Sequence, residues 1–182
     1  MKRKPLGACA EELFDEDYQI EVFMEYIIVP LSVLLGLLGF SLIAKWYVVP
    51  ALDSRPRDVA LLPLILLHVF RYLGAWFLIS GVVSSGLPPA FAIPAAYGDL
   101  ITVILALFGA LALRSKWSIA GAAVWLFNVF GALDLLNALL QGLLHIQHPG
   151  QLGATFIIPI FYVPALLVSH FLIFRLLLKR SS

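Results

Sequence analysis

The chain has 182 residues, 62% of them hydrophobic and 13% charged, with a mean hydropathy of +0.98 and a formal net charge of +1. Soluble domains are about half apolar and a quarter charged, so a water-soluble fold is excluded. Cations spread in twos and threes make no patch for nucleic acid. The lone Cys9 excludes both an internal disulfide and a cysteine-based metal site.

Residues 1–25 read as a polar N-terminal tail, basic at Lys2, Arg3 and Lys4 and then acidic. Interleaved Leu13, Phe14, Tyr18, Ile20 and Phe23 would let part of it lie on a membrane surface as an amphipathic helix. Leu6-Gly7-Ala8-Cys9 is superficially like a lipoprotein cleavage box, but Lys4 and Pro5 stand where its apolar run belongs.

Residues 26–182 read as one bundle of five membrane-crossing helices, an all-α polytopic fold. The spans are Tyr26–Val49, Val59–Val83, Ala96–Leu113, Ile119–Leu144 and Thr155–Leu178, each near or above the length a membrane helix needs. Lys45, Arg55 and Arg57, then Arg114 and Lys116, then Arg175, Lys179 and Arg180 alternate with loops that carry no lysine or arginine. The positive-inside rule therefore places the N-terminus outside and the C-terminus in the cytoplasm. Trp46, Tyr47, Trp76, Tyr97 and Trp117 fall toward span ends, where interfacial anchors belong. Ser32 and Gly36, and the stripe Asp99, Thr102, Ala106 and Gly109, mark faces suited to close helix approach. Prolines 30, 63, 159 and 164 are expected to bend their helices. The layout resembles that of small polytopic proteins of bacterial inner membranes, so the cell membrane is the expected location and the bilayer the expected partner. Five spans also suit a homodimer or a place in a larger membrane complex.

The second span carries the most costly residues. An arginine at the centre of a membrane helix costs about 2.5–3.5 kcal/mol on insertion scales. Arg71 nevertheless sits near the midplane, with His68 three residues before it. Counting depth along ideal helices puts Asp134 roughly 4 Å and Asp99 roughly 8 Å to the outer side of Arg71. Asp134, Asn137 and Gln141 share one face of span four. The expected site is an outward-facing polar pocket in which Arg71 meets Asp134, with Asp99, Asn137 and Gln141 around the pair. One arginine needs one carboxylate, and the surplus suits a cation, a proton or a polar ligand head.

His68 and His170 come out at matched depth, roughly 4–5 Å toward the cytoplasm. Two such histidines on separate helices are what axial ligation of a b-type haem requires, and Gly74 would admit a flat macrocycle. The same pair would serve a proton relay or simple core hydrogen bonds. Asn128 shares this depth but faces opposite to Asn137 on an ideal helix, and stays outside the expected site. His145 and His148 in the outer loop lack neighbouring acids or thiols, so no metal is expected there.

No phosphate-binding G-x-x-x-x-G-K-[ST] loop, H-E-x-x-H zinc helix or G-x-S-x-G elbow occurs. Three readings remain. The interior binds or moves a small ligand, ion or proton; His68 and His170 hold a haem for electron transfer; or the chain is an accessory or assembly subunit whose polar residues only pack the bundle.

Overall fold

The computed structural model describes residues 27–179, so the polar tail and Cys9 lie outside the described residues. The described chain is all-helical, without a β-strand. Five helices are long and apolar enough to cross a membrane: α1 (Ile27–Asp53), α2 (Arg57–Leu78), α3 (Pro89–Arg114), α4 (Ala120–His145) and α5 (Ile158–Leu178).

Each helix follows from its residue pattern. In α4 the buried set Ala120, Ala123, Val124, Phe127, Asn128, Gly131 and Leu135 recurs at three and four, one stripe of a 3.6-residue helix. In α5 Val163, Leu166, His170, Ile173 and Leu177 do the same. α3 buries mostly small residues, including Ala92, Ala96, Gly98, Thr102, Ala106 and Gly109. Between membrane-length helices surrounded by lipid, burial of apolar area would drive association only weakly, and close van der Waals packing between small residues would carry it. α3 accordingly sits against both α2 and α4. The first helix is peripheral: 6% of its apolar window is buried, against 33–50% in the other four. It touches α5 where Gly36 meets Ile160 O and Pro164, and Phe40 stacks edge-on against Phe161.

Proline accounts for the local irregularities of α1 and α5. Pro50 and Pro164 have no N–H to give and crowd the carbonyl four residues back. A π-turn precedes each, over Ala44–Val48 and Ile158–Tyr162. Pro50 belongs with the prolines expected to bend helices, although its place near a span end hid it.

α2 changes character halfway. Arg57–Leu67 is α-helical with Pro63 inside it, and His68–Leu78 is a 3₁₀-helix of 11 residues. Runs beyond three or four residues are uncommon for that geometry. At three residues per turn, positions three apart eclipse, and His68, Arg71, Gly74 and Phe77 are the buried residues of the segment. An α-helix would spread the same four across half its circumference. The tighter winding aims all of them at the core. The His68 N–H turns to Ile65 O, which releases Leu64 O to Ser169 Oγ at 3.3 Å. Leu67 O accepts from Tyr162 Oη at 2.9 Å. α5 thus takes up carbonyls loosened where α2 changes winding.

Antiparallel succession gathers Arg55, Arg57, Arg114, Lys116, Arg175 and Lys179 at one end of the bundle. There Asp53 accepts from Arg175 at 2.7 Å and Lys179 at 3.1 Å. At the opposite end the α2–α3 loop is fastened to the α4–α5 loop. Ser84 N donates to Gln151 O, Ala154 N to Val82 O, and Gln151 Nε2 to Gly86 O at 2.9 Å. Gly153 has a φ of +53°, and a Cβ there would stand 2.5 Å from Val82 O, so glycine is required for this junction.

Candidate functional site

Arg71 is the centre of the polar interior. Its side chain is 0% exposed. Nε donates to Asp99 Oδ1 at 2.5 Å, one terminal nitrogen to Asp134 Oδ2 at 2.5 Å, and the other to Gly131 O at 2.9 Å. Three directions of one planar fork are thereby used on α3 and α4, a geometry open to arginine and closed to lysine.

Three glycines make room for this arrangement. A Cβ on Gly74 of α2 would overlap the Asp99 carboxylate, and one on Gly98 of α3 would overlap that of Asp134. A Cβ on Gly131 of α4 would stand 2.8 Å from Thr102 Cγ2 and 2.9 Å from His170 Cε1. Each notch receives a side chain from a neighbouring helix. Two carboxylates on one guanidinium leave a formal charge of −1 (two anions, one cation). Asp99 and Asp134 keep 14% and 9% of their side-chain surface exposed.

Below Gly131 lies the histidine layer. The rings of His68 and His170 stand 4.1 Å apart by centroid, tilted by 45°, with Phe127 packed 5.1 Å from His68 and 5.7 Å from His170. Their partners point to one tautomer for each ring. Ser169 spends its one hydroxyl proton on Leu64 O, so at 3.2 Å it accepts from His68 Nε2–H. Asn128 Nδ2 donates to His170 O, which turns Asn128 Oδ1 toward His170 Nδ1 at 2.7 Å, where it accepts. The remaining nitrogens, His68 Nδ1 and His170 Nε2, carry bare lone pairs with no hydrogen-bond partner among the described residues. Buried acceptors of this kind are rare, and they call for a reason.

The rings do not fit a bis-histidine haem. Iron ligated by both imidazoles, with bonds of about 2 Å on each side, would hold the ring centroids about 6 Å apart with the plane of the macrocycle between them. At 4.1 Å, with Phe127 against both rings, there is no space for it. Gly74, expected to admit the macrocycle, is filled by Asp99.

The seven sequence-selected residues therefore divide. Arg71, Asp99 and Asp134 form one cluster, and His68 with His170 form a second one turn away. Asn137 is exposed on the outside of the bundle and Gln141 is half-buried, and neither joins Arg71. Asn128, on the opposite face of α4 from Asn137, is the amide that points inward. Ser169, Thr102 and the glycines at 74, 98 and 131 complete the interior. Depth put Asn128 level with the histidines, but its face on an ideal helix left it outside the expected site, and glycine notches give no sequence signal without their occupants. His145 and His148, at the α4–α5 junction, belong to no group of three metal-ligating side chains among the described residues.

Fold and interior together define a class: an all-helical protein of five membrane-length helices with a buried Arg–Asp–Asp cluster over a histidine pair. Residues 28–178 match the family described as a domain of unknown function (DUF8737), and the chain belongs to that family. The match runs across all five helices. No curated protein and no solved structure matches the chain.

Proposed function

We propose that this is a multi-pass protein of the cell membrane, N-terminus outside and C-terminus in the cytoplasm, whose interior binds and passes a proton. The observation that carries the reading is the surplus carboxylate on Arg71. One guanidinium neutralises one of Asp99 and Asp134, and the second must hold a proton or a cation to remain in an apolar bundle. A proton is favoured over a metal cation by what lies beneath. His170 Nε2 faces Gly131, whose carbonyl is held by Arg71, and His68 Nδ1 follows on the next ring. Proton acceptors thus succeed one another along the bundle axis, as in intramembrane relays.

The test is proton flux in liposomes loaded with a pH-sensitive dye, comparing the wild type with Asp134→Asn. The wild type should collapse an imposed pH gradient faster than protein-free liposomes. The variant should leave it intact while eluting and melting as the wild type does. Wild-type flux no faster than empty liposomes sinks the reading.

One observation favours a second reading. All three directions of the Arg71 fork end on protein and fasten α2 to α3 and α4. Such a cluster can serve as a staple in an accessory or assembly subunit. Under that reading Asp134→Asn loses folding and partner co-purification together.

A further inference from the structure

At the cation-rich end of the bundle a cavity of about 300 Å³ opens between the start of α2, the α3–α4 turn and the end of α5. Its floor is apolar and buried: Leu61, Leu113, Val124 and Leu177. Its rim carries Arg57, Lys116 and Trp117, with Asp58 as the one carboxylate. Arg175 and Lys179, at the same end, share Asp53, whereas Arg57 and Lys116 pair with no carboxylate among the described residues. Arg57 leans on Leu177 O at 3.4 Å, which holds it over the opening.

Lys116 is held at an unusual backbone position. It is the described non-glycine residue with positive φ, at 55°. Lys116 N donates to Leu113 O at 3.2 Å and Trp117 N to Ala112 O at 3.0 Å. Those are the two bonds of a Schellman cap, whose left-handed position ordinarily belongs to glycine. A lysine there is strained, and such strain persists where the side chain has a use. The cap aims it at the cavity. The N-termini of α2 and α4 open onto the same space, and neither has a side-chain cap, so their amide ends add positive potential.

We propose that this cavity binds a phosphate-bearing anion, supplied by the headgroup of an anionic phospholipid. The two rim cations, Arg57 and Lys116, recognise the phosphate, and the apolar floor takes the start of the lipid chains. The site lies where the apolar helices end, the level of a bilayer's headgroups, and Trp117 is an interfacial residue in kind. The proposal is independent of proton movement at Arg71.

The test uses the full chain in a non-ionic detergent, with thermal melting followed as phosphatidylglycerol, phosphatidylcholine or inorganic phosphate is added. Phosphatidylglycerol should raise the wild-type melting temperature saturably and phosphatidylcholine should not. Lys116→Gly removes the cation and relaxes the cap, so without lipid this variant should melt no lower than the wild type. Its apparent affinity for phosphatidylglycerol should fall about tenfold, as for the loss of one charge-assisted hydrogen bond. An undiminished response in Lys116→Gly overturns the site. A response to inorganic phosphate with none to phosphatidylglycerol overturns the lipid source.

Discussion

Gly98 of α3 faces Asp134 of α4 so closely that no Cβ fits between them. The glycine positions the carboxylate that Arg71 binds by leaving it room, while its own carbonyl accepts from Thr102 Oγ1 at 2.9 Å. Gly98→Ala should therefore push Asp134 off Arg71 and lower stability by about 1–3 kcal/mol, the usual range for overpacking. Gly74→Ala should do the same through Asp99. Gly39, with nothing within 4 Å of its would-be Cβ, is the control, and its alanine variant should be neutral or slightly stabilising in detergent unfolding.

Removing the arginine strands both carboxylates. Arg71→Met should cost about 3–5 kcal/mol, as for other broken buried pairs. The triple variant Arg71→Met/Asp99→Asn/Asp134→Asn removes the stranded charges and should recover part of that loss. Equal unfolding free energies for the single and triple variants would contradict the ion-pair account.

The histidine tautomers are directly observable. Nitrogen-15 spectra of histidine-labelled protein should show His170 protonated at Nδ1 and His68 at Nε2, each with an unprotonated partner nitrogen. Asn128→Leu deprives His170 Nδ1–H of its acceptor and should lower stability by about 1–3 kcal/mol, with the His170 resonances shifted more than those of His68.

Tyr162 holds a carbonyl at the change of winding in α2. Tyr162→Phe should cost about 0.5–1.5 kcal/mol. Faster amide exchange in His68–Leu78 than elsewhere in α2 would locate the effect at the 3₁₀ segment.

The charges at the bundle end should behave quite differently. Asp53 is about a third exposed, as is Arg175, and its pairs with Arg175 and Lys179 are open to solvent. Asp53→Asn should leave stability nearly unchanged, and that small effect should fade as salt is raised. A loss comparable to that in Arg71→Met would contradict this ranking.

Much was fixed by the order of residues alone. Five apolar runs of membrane-crossing length read as five helices, because a backbone entering hydrocarbon would have to satisfy its hydrogen bonds within each segment. An arginine in one run requires a carboxylate in another, and depth counting pointed to Asp134 and to the pairing of His68 with His170. What depth lacks is azimuth. Asn128 and Asn137 stand half a turn apart on α4, and only the neighbours reveal that Asn128 faces inward. The 3₁₀ winding that lines up His68, Arg71, Gly74 and Phe77 was equally hidden, since it depends on α5 taking the released carbonyls of α2. Sequence decided which groups must be paired, because unpaired polarity is costly in an apolar medium. Tertiary packing decided which groups meet, because glycine notches and helix faces have meaning only against the helix that fills them.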